Sequence, residues 1–306
     1  MIVFMKVKLY LFLILSFVGW RDINAQEKFI LGDPSAVKRV FFQPCYIKDS
    51  LSIGKAHLSV RYRLTRKIDD NLYRWCTLKL MIGNGVSSQI DELEYINSLI
   101  MTNFNNGATD VDESLRVKAE NMGDAPSNLF LQMVRIDKEN TLEVICSDMQ
   151  TINRTRMYRE SVPDIAWVVE GKVDSLYGYS CMMATARFRG RTWTAWFTME
   201  IPIELGPWKL SGLPGLILKA MDESEEYCFE CVELSQTEKP LFIYDYPNKQ
   251  IIDRHKYLQY EKNSFTQPYE LLANGEDIII WERNADGSVS EVKESWSIPY
   301  YPIELE

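Results

Sequence analysis

The chain has 306 residues, of which 46% are hydrophobic and 25% charged, and its formal net charge at pH 7 is -9. A chain of this length can form one large domain or two small ones. The acidic balance argues against a nucleic-acid partner, because phosphate backbones are polyanions that need a basic patch. The nearest candidate for such a patch is Arg187, Arg189 and Arg191, whose alternate spacing is more typical of the polar row of a strand.

The first 25 residues have the pattern of a secretory signal peptide. Lys6 and Lys8 precede the apolar run 9–18, and Ala25 supplies a small residue at the expected cleavage position. This run is too short to cross a bilayer, which takes roughly 20 apolar residues. We therefore expect cleavage after Ala25, no transmembrane segment in the mature chain, and a location in the periplasm or outside the cell.

The chain has six cysteines, which export would place in an oxidising compartment. Their pairing cannot be chosen from sequence, because six cysteines permit 15 connectivities. The pair Cys228 and Cys231 resembles a redox motif but lies in a strand-like stretch. Residues three apart in a strand face opposite sides, so we expect neither a mutual disulfide nor a redox role. The six are Cys45, Cys76, Cys146, Cys181, Cys228 and Cys231.

Alternation of apolar and polar residues with a period of two dominates the chain and predicts a mainly β (α+β) fold. The alternation recurs in about eleven runs, most of them separated by turn residues such as Asn, Asp, Gly or Pro. We expect these runs to form antiparallel strands. They are 58–64, 75–82, 128–136, 141–147, 166–173, 177–189, 191–199, 216–221, 226–234, 241–245 and 277–283.

Two segments have helical rather than strand periodicity. Apolar residues recur at helical spacing from Ile90 to Phe104, with Ser88 and Asp91 placed as an N-cap and its partner. The pattern over residues 250–262 predicts a second helix, with a weaker helical signal. Both helices are short and no Ser/Gly-rich linker divides the chain, so we expect a single domain over 26–306.

No catalytic or cofactor motif stands out. The two histidines, His57 and His255, are nearly 200 residues apart, and no cysteine spacing suits zinc. Nucleophile elbows, phosphate loops and dinucleotide fingerprints are missing. The sequence therefore predicts no metal, no cofactor and no catalytic residue. A pair of carboxylates brought together only by the fold stays open as an alternative.

The segment 177–222 holds the densest set of turn and aromatic residues. A strand over 191–199 would place Trp193 on one face and Thr194 with Trp196 on the other. Gly212, Pro214 and Gly215 are expected to be structural. In particular, 213–216 suits a type II turn with Gly215 at positive φ.

The run Gly212-Leu213-Pro214-Gly215-Leu216-Ile217 resembles the signature of the GLPGLI family of Bacteroidetes envelope proteins. The similarity extends upstream through 178–181, 188–191, 195–198, 201–203 and 206–209, and it includes 301–305. The resemblance implies an exported protein with a curved antiparallel sheet or half-barrel, similar to periplasmic lipoprotein carriers. A bowl-like domain joined to some secreted glycan-releasing enzymes is similar as well. Neither comparison assigns an activity.

Two functions are compatible with this sequence. The first is a non-enzymatic envelope binding or accessory protein with a ligand in the hollow of the sheet, where Arg191, Thr194 and Trp196 would line the site. Its partner would be a hydrophobic molecule, a peptide or a glycan, or other envelope proteins. The second is a secreted hydrolase with acidic residues assembled by the fold. A purely structural role for 177–222 is the competing interpretation of the motif.

Overall fold

The computed structural model describes residues 2–4, 46–108, 110, 112–147, 154–267, 279–283, 289–291 and 299–306. They belong to two compact units, one formed by Gln43–Tyr257 with Tyr301–Glu306 and the other by Met1–Phe42 with Leu258–Tyr300. Apart from residues 2–4, the predicted signal peptide lies outside the described residues, as do its cleavage site and Cys45.

The fold is mostly β, and the first unit is built on an open, curved sheet of 13 strands. The strands are β2 (Asp49–Asp69), β3 (Leu72–Gly83), β4 (Val86–Asp91), β5 (Gln132–Ile136), β6 (Thr141–Ser147), β7 (Thr155–Ser161), β8 (Val168–Leu176), β9 (Tyr179–Phe188), β10 (Arg191–Thr198), β11 (Leu216–Asp222), β12 (Tyr227–Gln236), β13 (Pro240–Asp245) and β14 (Gln250–Ile251). Eleven of them are paired antiparallel in the spatial order β7, β6, β5, β4, β3, β2, β12, β11, β10, β9, β8. Strand β14 adds to β7 in parallel, and β13 pairs with the start of β2.

The second unit contains a small three-stranded sheet. Its strands are β1 (Ile2–Phe4), β15 (Ile279–Arg283) and β16 (Val289–Glu291), with β15 in the centre and antiparallel to both neighbours.

Each of the predicted strand runs overlaps an observed strand, so the mainly β prediction is confirmed. The alternation missed β4, β7 and β14 in the large sheet, and the two residues of β14 lie at the start of the segment that was predicted to be helical. In β4 the residues Ser87, Ser88 and Gln89 are all buried although they are polar. Hydrophobic alternation cannot detect such a strand, because both of its faces are covered by other parts of the protein.

The described residues contain three helices, α1 (Glu92–Asn105), α2 (Glu113–Glu120) and α3 (Arg254–Thr266). Helices α1 and α3 correspond to the two predicted ones, and α2 was missed. The predicted N-cap of α1 was wrong. Asp91 caps this helix by accepting hydrogen bonds from the backbone N–H groups of Leu93 and Glu94, whereas Ser88 lies inside β4. None of these helices is long and apolar enough to span a membrane.

One face of the large sheet carries the apolar core. Trp193, Phe197 and Phe229 are fully buried there. The segment 199–215 covers this face, since the rings of Trp208 and Trp193 are 5.7 Å apart and the backbone N–H of Trp208 donates to Gln89. We call it the loop-covered face. Exposed and half-buried side chains occupy the opposite side of β9–β12 and of the adjoining part of β2, which we call the open face.

Candidate functional site

Thr194 and Trp196 lie together on the open face of β10, where both are half-buried. Trp196 is paired in register with Met183 of β9 and Lys219 of β11. The ammonium group of Lys219 lies 5.7 Å from the centre of the Trp196 ring. Strand β10 therefore presents an aromatic ring and a hydroxyl group beside a cation. The alternation of the sequence predicted the shared face of Thr194 and Trp196 but not the neighbouring Lys219.

The row continues across β12 and β2. Lys219 pairs with Glu230, whose carboxylate is 2.7 Å from the ammonium group, and Glu230 pairs in register with the exposed Arg63. Tyr177, 56% exposed at the turn before β9, interacts electrostatically with Lys219, Glu230 and Arg63 of this row. Burial raises the pKa of its hydroxyl, Cys231 and Glu230 add to this, and Arg63 and Lys219 oppose it. The open face thus carries a continuous aromatic and charged strip.

Arg191 does not join this strip, because it points to the loop-covered face on the same side as Trp193. Its side chain is 3% exposed and forms ion pairs with Asp222 at 2.6 Å and Glu226 at 2.8 Å. It also donates to the backbone carbonyls of Pro302 and Ile303. The three residues predicted to line one site therefore do not form one surface, and Arg191 anchors the segment 301–306.

A second buried charge holds the same segment. The ammonium group of Lys209, with its side chain 1% exposed, is 2.5 Å from the carboxylate of Glu304 and also pairs with Glu160. Arg254 binds Glu304 from another side. Burial alone would raise the pKa of Glu304, but Lys209 and Arg254 together hold it below its usual value. The motif residues 189–191 and 206–209 thus hold the segment 301–306 in place, and we call this arrangement the clasp.

The turn at the centre of the motif differs from the predicted one. Gly215 does not have a positive φ, whereas Gly212 has φ +91°. The N–H of Gly215 donates to the carbonyl of Leu213 at 2.7 Å, so the chain makes a three-residue γ-turn around Pro214 rather than a type II turn. A Cβ at Gly215 would lie 2.6 Å from the carbonyl carbon of Thr198. Glycine is needed there for close packing and not for its φ.

Cys228 and Cys231 lie on opposite faces of β12, as the strand period predicted. Neither forms a disulfide with another described residue. Burial raises the pKa of each thiol to about 11. Both are therefore protonated at neutral pH, and protonated thiols are poor nucleophiles.

A pair of carboxyl groups is buried at the start of α1. Asp91 is fully buried, and besides capping the helix it accepts a hydrogen bond from the N–H of Ser127 at 2.6 Å. Glu94 is 3% exposed, and burial together with the nearby Asp91 raises its pKa to about 8. No group of acidic, histidine and cysteine residues suited to a metal ion occurs in the described part of the chain.

Two of the cavities among the described residues have polar residues in their lining. One, of about 30 Å³, lies on the loop-covered face between β3–β6 and the loop 205–211. The other, of about 430 Å³, is a cleft that includes Lys55, His57 and Glu238. Neither is lined by Arg191, Thr194 or Trp196, nor by Asp91 or Glu94. Gln89 and Lys209 line the smaller cavity, and the sequence analysis identified neither as a site residue. Gln89 was missed because it is a polar residue in an unrecognised strand.

A family model described as "Protein of unknown function (Porph_ging)" matches residues 187–219. This range contains the turn between β9 and β10, the loop over the covered face and the run 212–217. No curated protein matches the chain. The family match therefore concerns the part of the protein that forms the clasp and the strand with Trp196.

Among solved structures, PNGF-II in the P21 space group is similar with a TM-score of 0.43 and 15% identity, and the match covers 68% of this chain and 34% of that one. A putative outer membrane lipoprotein-sorting protein domain from Vibrio parahaemolyticus has a TM-score of 0.19 and 8% identity, and the match covers 59% of this chain and 85% of that one. The present chain thus spans about a third of PNGF-II. Likenesses this distant carry no information about function.

Proposed function

We propose that this protein is an exported envelope accessory protein, without enzymatic activity, that binds an extended peptide or glycan on its open face around Trp196. The resemblance of the 212–217 run to GLPGLI proteins and the signal-peptide pattern support the location. The observation that carries the binding role is the strip of in-register side chains Met183, Trp196, Lys219, Glu230 and Arg63, which crosses five neighbouring strands.

The length and chemistry of the strip suit an extended ligand. Five adjacent strands span about 19 Å, which corresponds to roughly six residues of extended peptide. The half-buried ring of Trp196 offers an apolar surface for a sugar ring or a side chain, and Thr194 adds a hydroxyl group beside it. Lys219 and Glu230 provide one charge of each sign, so the surface favours polar ligands over purely apolar ones.

Two alternatives are supported less well. A lipid-like ligand in a hollow would need space on the loop-covered face, but the loop 199–215 and the segment 301–306 occupy it. A hydrolase would need carboxyl groups that a substrate can reach. Asp91 and Glu94 are buried, and Glu160 and Glu304 are paired with Lys209. Binding on the open face is therefore the function that the geometry supports best.

The proposal is tested by screening the full-length protein against a glycan array and a library of hexapeptides. Trp196→Ala is expected to weaken binding of the selected ligand at least tenfold, because aromatic residues at the centre of a site carry much of the affinity. The control is Tyr73→Ala, which removes a 44% exposed aromatic ring at the start of β3 and is expected to leave affinity unchanged.

Equal affinity of the parent and the Trp196→Ala variant would reject the open face as the site. If the parent protein bound neither a glycan nor a peptide, the binding role itself would be rejected.

A further inference from the structure

The smaller cavity contains a buried hydrogen-bond donor that has no partner among the described residues. Gln89 is 1% exposed and lines the cavity on the loop-covered face. Its Nε2 atom makes no hydrogen bond to any residue that the structure describes. An unsatisfied buried amide donor costs about 1–3 kcal/mol, so native proteins seldom leave one without a protein, water or ligand acceptor.

The orientation of the Gln89 amide is fixed by its other end. Oε1 accepts a hydrogen bond of 2.9 Å from the backbone N–H of Trp208. Rotating the amide by half a turn would bring Nε2 against that N–H, two donors facing each other. The NH₂ group of Gln89 must therefore be the end without a partner, and it needs an acceptor oxygen.

The remaining lining is largely apolar, with the side chains of Leu80, Met133 and Leu142 in the wall. The wall also includes Arg135 and Lys209, but each of these cations is already paired with a carboxylate, Arg135 with Asp137 and Lys209 with Glu304. A ligand that satisfies both the Gln89 amide and the apolar wall has an acceptor oxygen on one side and a methyl or methylene group on the other.

We infer that this cavity is a binding site for a small acyl group, either an amide carbonyl or a carboxylate, whose oxygen accepts from Nε2 of Gln89. By this measure of volume one water molecule needs roughly 10–15 Å³. The cavity of about 30 Å³ therefore holds two or three water molecules or one group of the size of acetamide or acetate. Its walls are β3–β6 and the loop 205–211, so the site is separate from the open face.

The experiment uses the full-length protein, with acetamide and acetate as the two probes. Binding is followed by NMR through the methyl resonance of Met133, assigned with Met133→Leu, and through the thermal midpoint. We expect saturable millimolar binding of at least one probe, with acetamide alone indicating an amide site and acetate alone a carboxylate site. Trp196→Ala is expected to leave this binding unchanged, which distinguishes it from the function proposed above.

The matched variants are Gln89→Glu and Gln236→Glu. Glutamate at 89 can still accept from Trp208 but offers an acceptor where the donor was, so probe affinity is expected to fall at least tenfold. Gln236 is an exposed residue of β12, and its replacement changes the net charge equally without touching the cavity.

Unchanged affinity in Gln89→Glu would overturn the inference. So would the absence of a saturable shift of the Met133 methyl group in the parent, since the cavity would then hold only water. The second result does not depend on whether the variant folds.

Discussion

The ammonium group of Lys209 lies 2.5 Å from the carboxylate of Glu304, and the two side chains are 1% and 3% exposed. This ion pair joins the loop over the covered face to the segment 301–306. Both partners are removed from water, so each depends on the other to offset its lost hydration. The pair thus joins two parts of the chain that are 95 residues apart in sequence.

Lys209→Met is therefore expected to destabilise the protein by roughly 3 kcal/mol, because it leaves the buried carboxylates of Glu160 and Glu304 with less positive charge. Lys249→Met is the control. Lys249 forms an ion pair with Asp245 at 3.0 Å in which the side chains are 28% and 41% exposed, and its loss should cost less than about 1 kcal/mol. Urea denaturation of both variants measures the difference. Equal losses of unfolding free energy would show that the buried Lys209–Glu304 pair stabilises the protein no more than the exposed Lys249–Asp245 pair.

Gly215→Ala is expected to cost roughly 1–3 kcal/mol, because the added Cβ would collide with the carbonyl group of Thr198. At Gly212 the backbone has φ +91°, but no atom of a described residue lies within 4 Å of an added Cβ. Gly212→Ala should therefore cost only about 1 kcal/mol of backbone strain. Thermal denaturation compares them. A larger loss of stability at Gly212 than at Gly215 would contradict this, because backbone conformation at Gly212 would then matter more than close packing at Gly215.

Trp193 and Trp196 occupy the two faces of one strand and should respond differently to removal. Trp193→Ala is expected to lower the free energy of unfolding by roughly 3–5 kcal/mol, since Trp193 is fully buried against Trp208 and Phe229. Trp196→Ala should cost about 1 kcal/mol or less, because its ring is already partly in solvent. Chemical denaturation of both variants decides the matter, and similar losses would contradict the assignment of the faces.

The raised pKa of Glu94 predicts a pH dependence of stability. Its carboxyl group titrates near 4.5 when unfolded and at about 8 when folded. Between these values the folded state binds more protons than the unfolded state, so stability should fall as the pH rises from about 4.5 to about 8. The shift of Asp91 has the same direction. Glu94→Gln should flatten the curve measured by urea denaturation at several pH values, and an unchanged slope would exclude Glu94 as its source.

Much of the architecture was predictable from the sequence, because a strand with one covered face repeats its apolar residues at every second position. The alternation at 191–198 was enough to separate Trp193 from Trp196. The same reasoning failed at β4, whose buried Ser87, Ser88 and Gln89 are polar. It also placed the positive φ at the wrong glycine, since Pro214 and Gly215 fit two kinds of turn equally well.

The sequence by itself determined the mainly β class, the positions of most strands, the two sides of β10 and the opposite orientation of Cys228 and Cys231. These are local properties, fixed by a period of two residues along the chain. The tertiary structure alone decided that Arg191 is a buried anchor, that Lys209 meets Glu304, and that Gln89 faces a cavity. These depend on contacts between residues far apart in sequence, and local patterns contain no information about which distant charge or loop a side chain will meet.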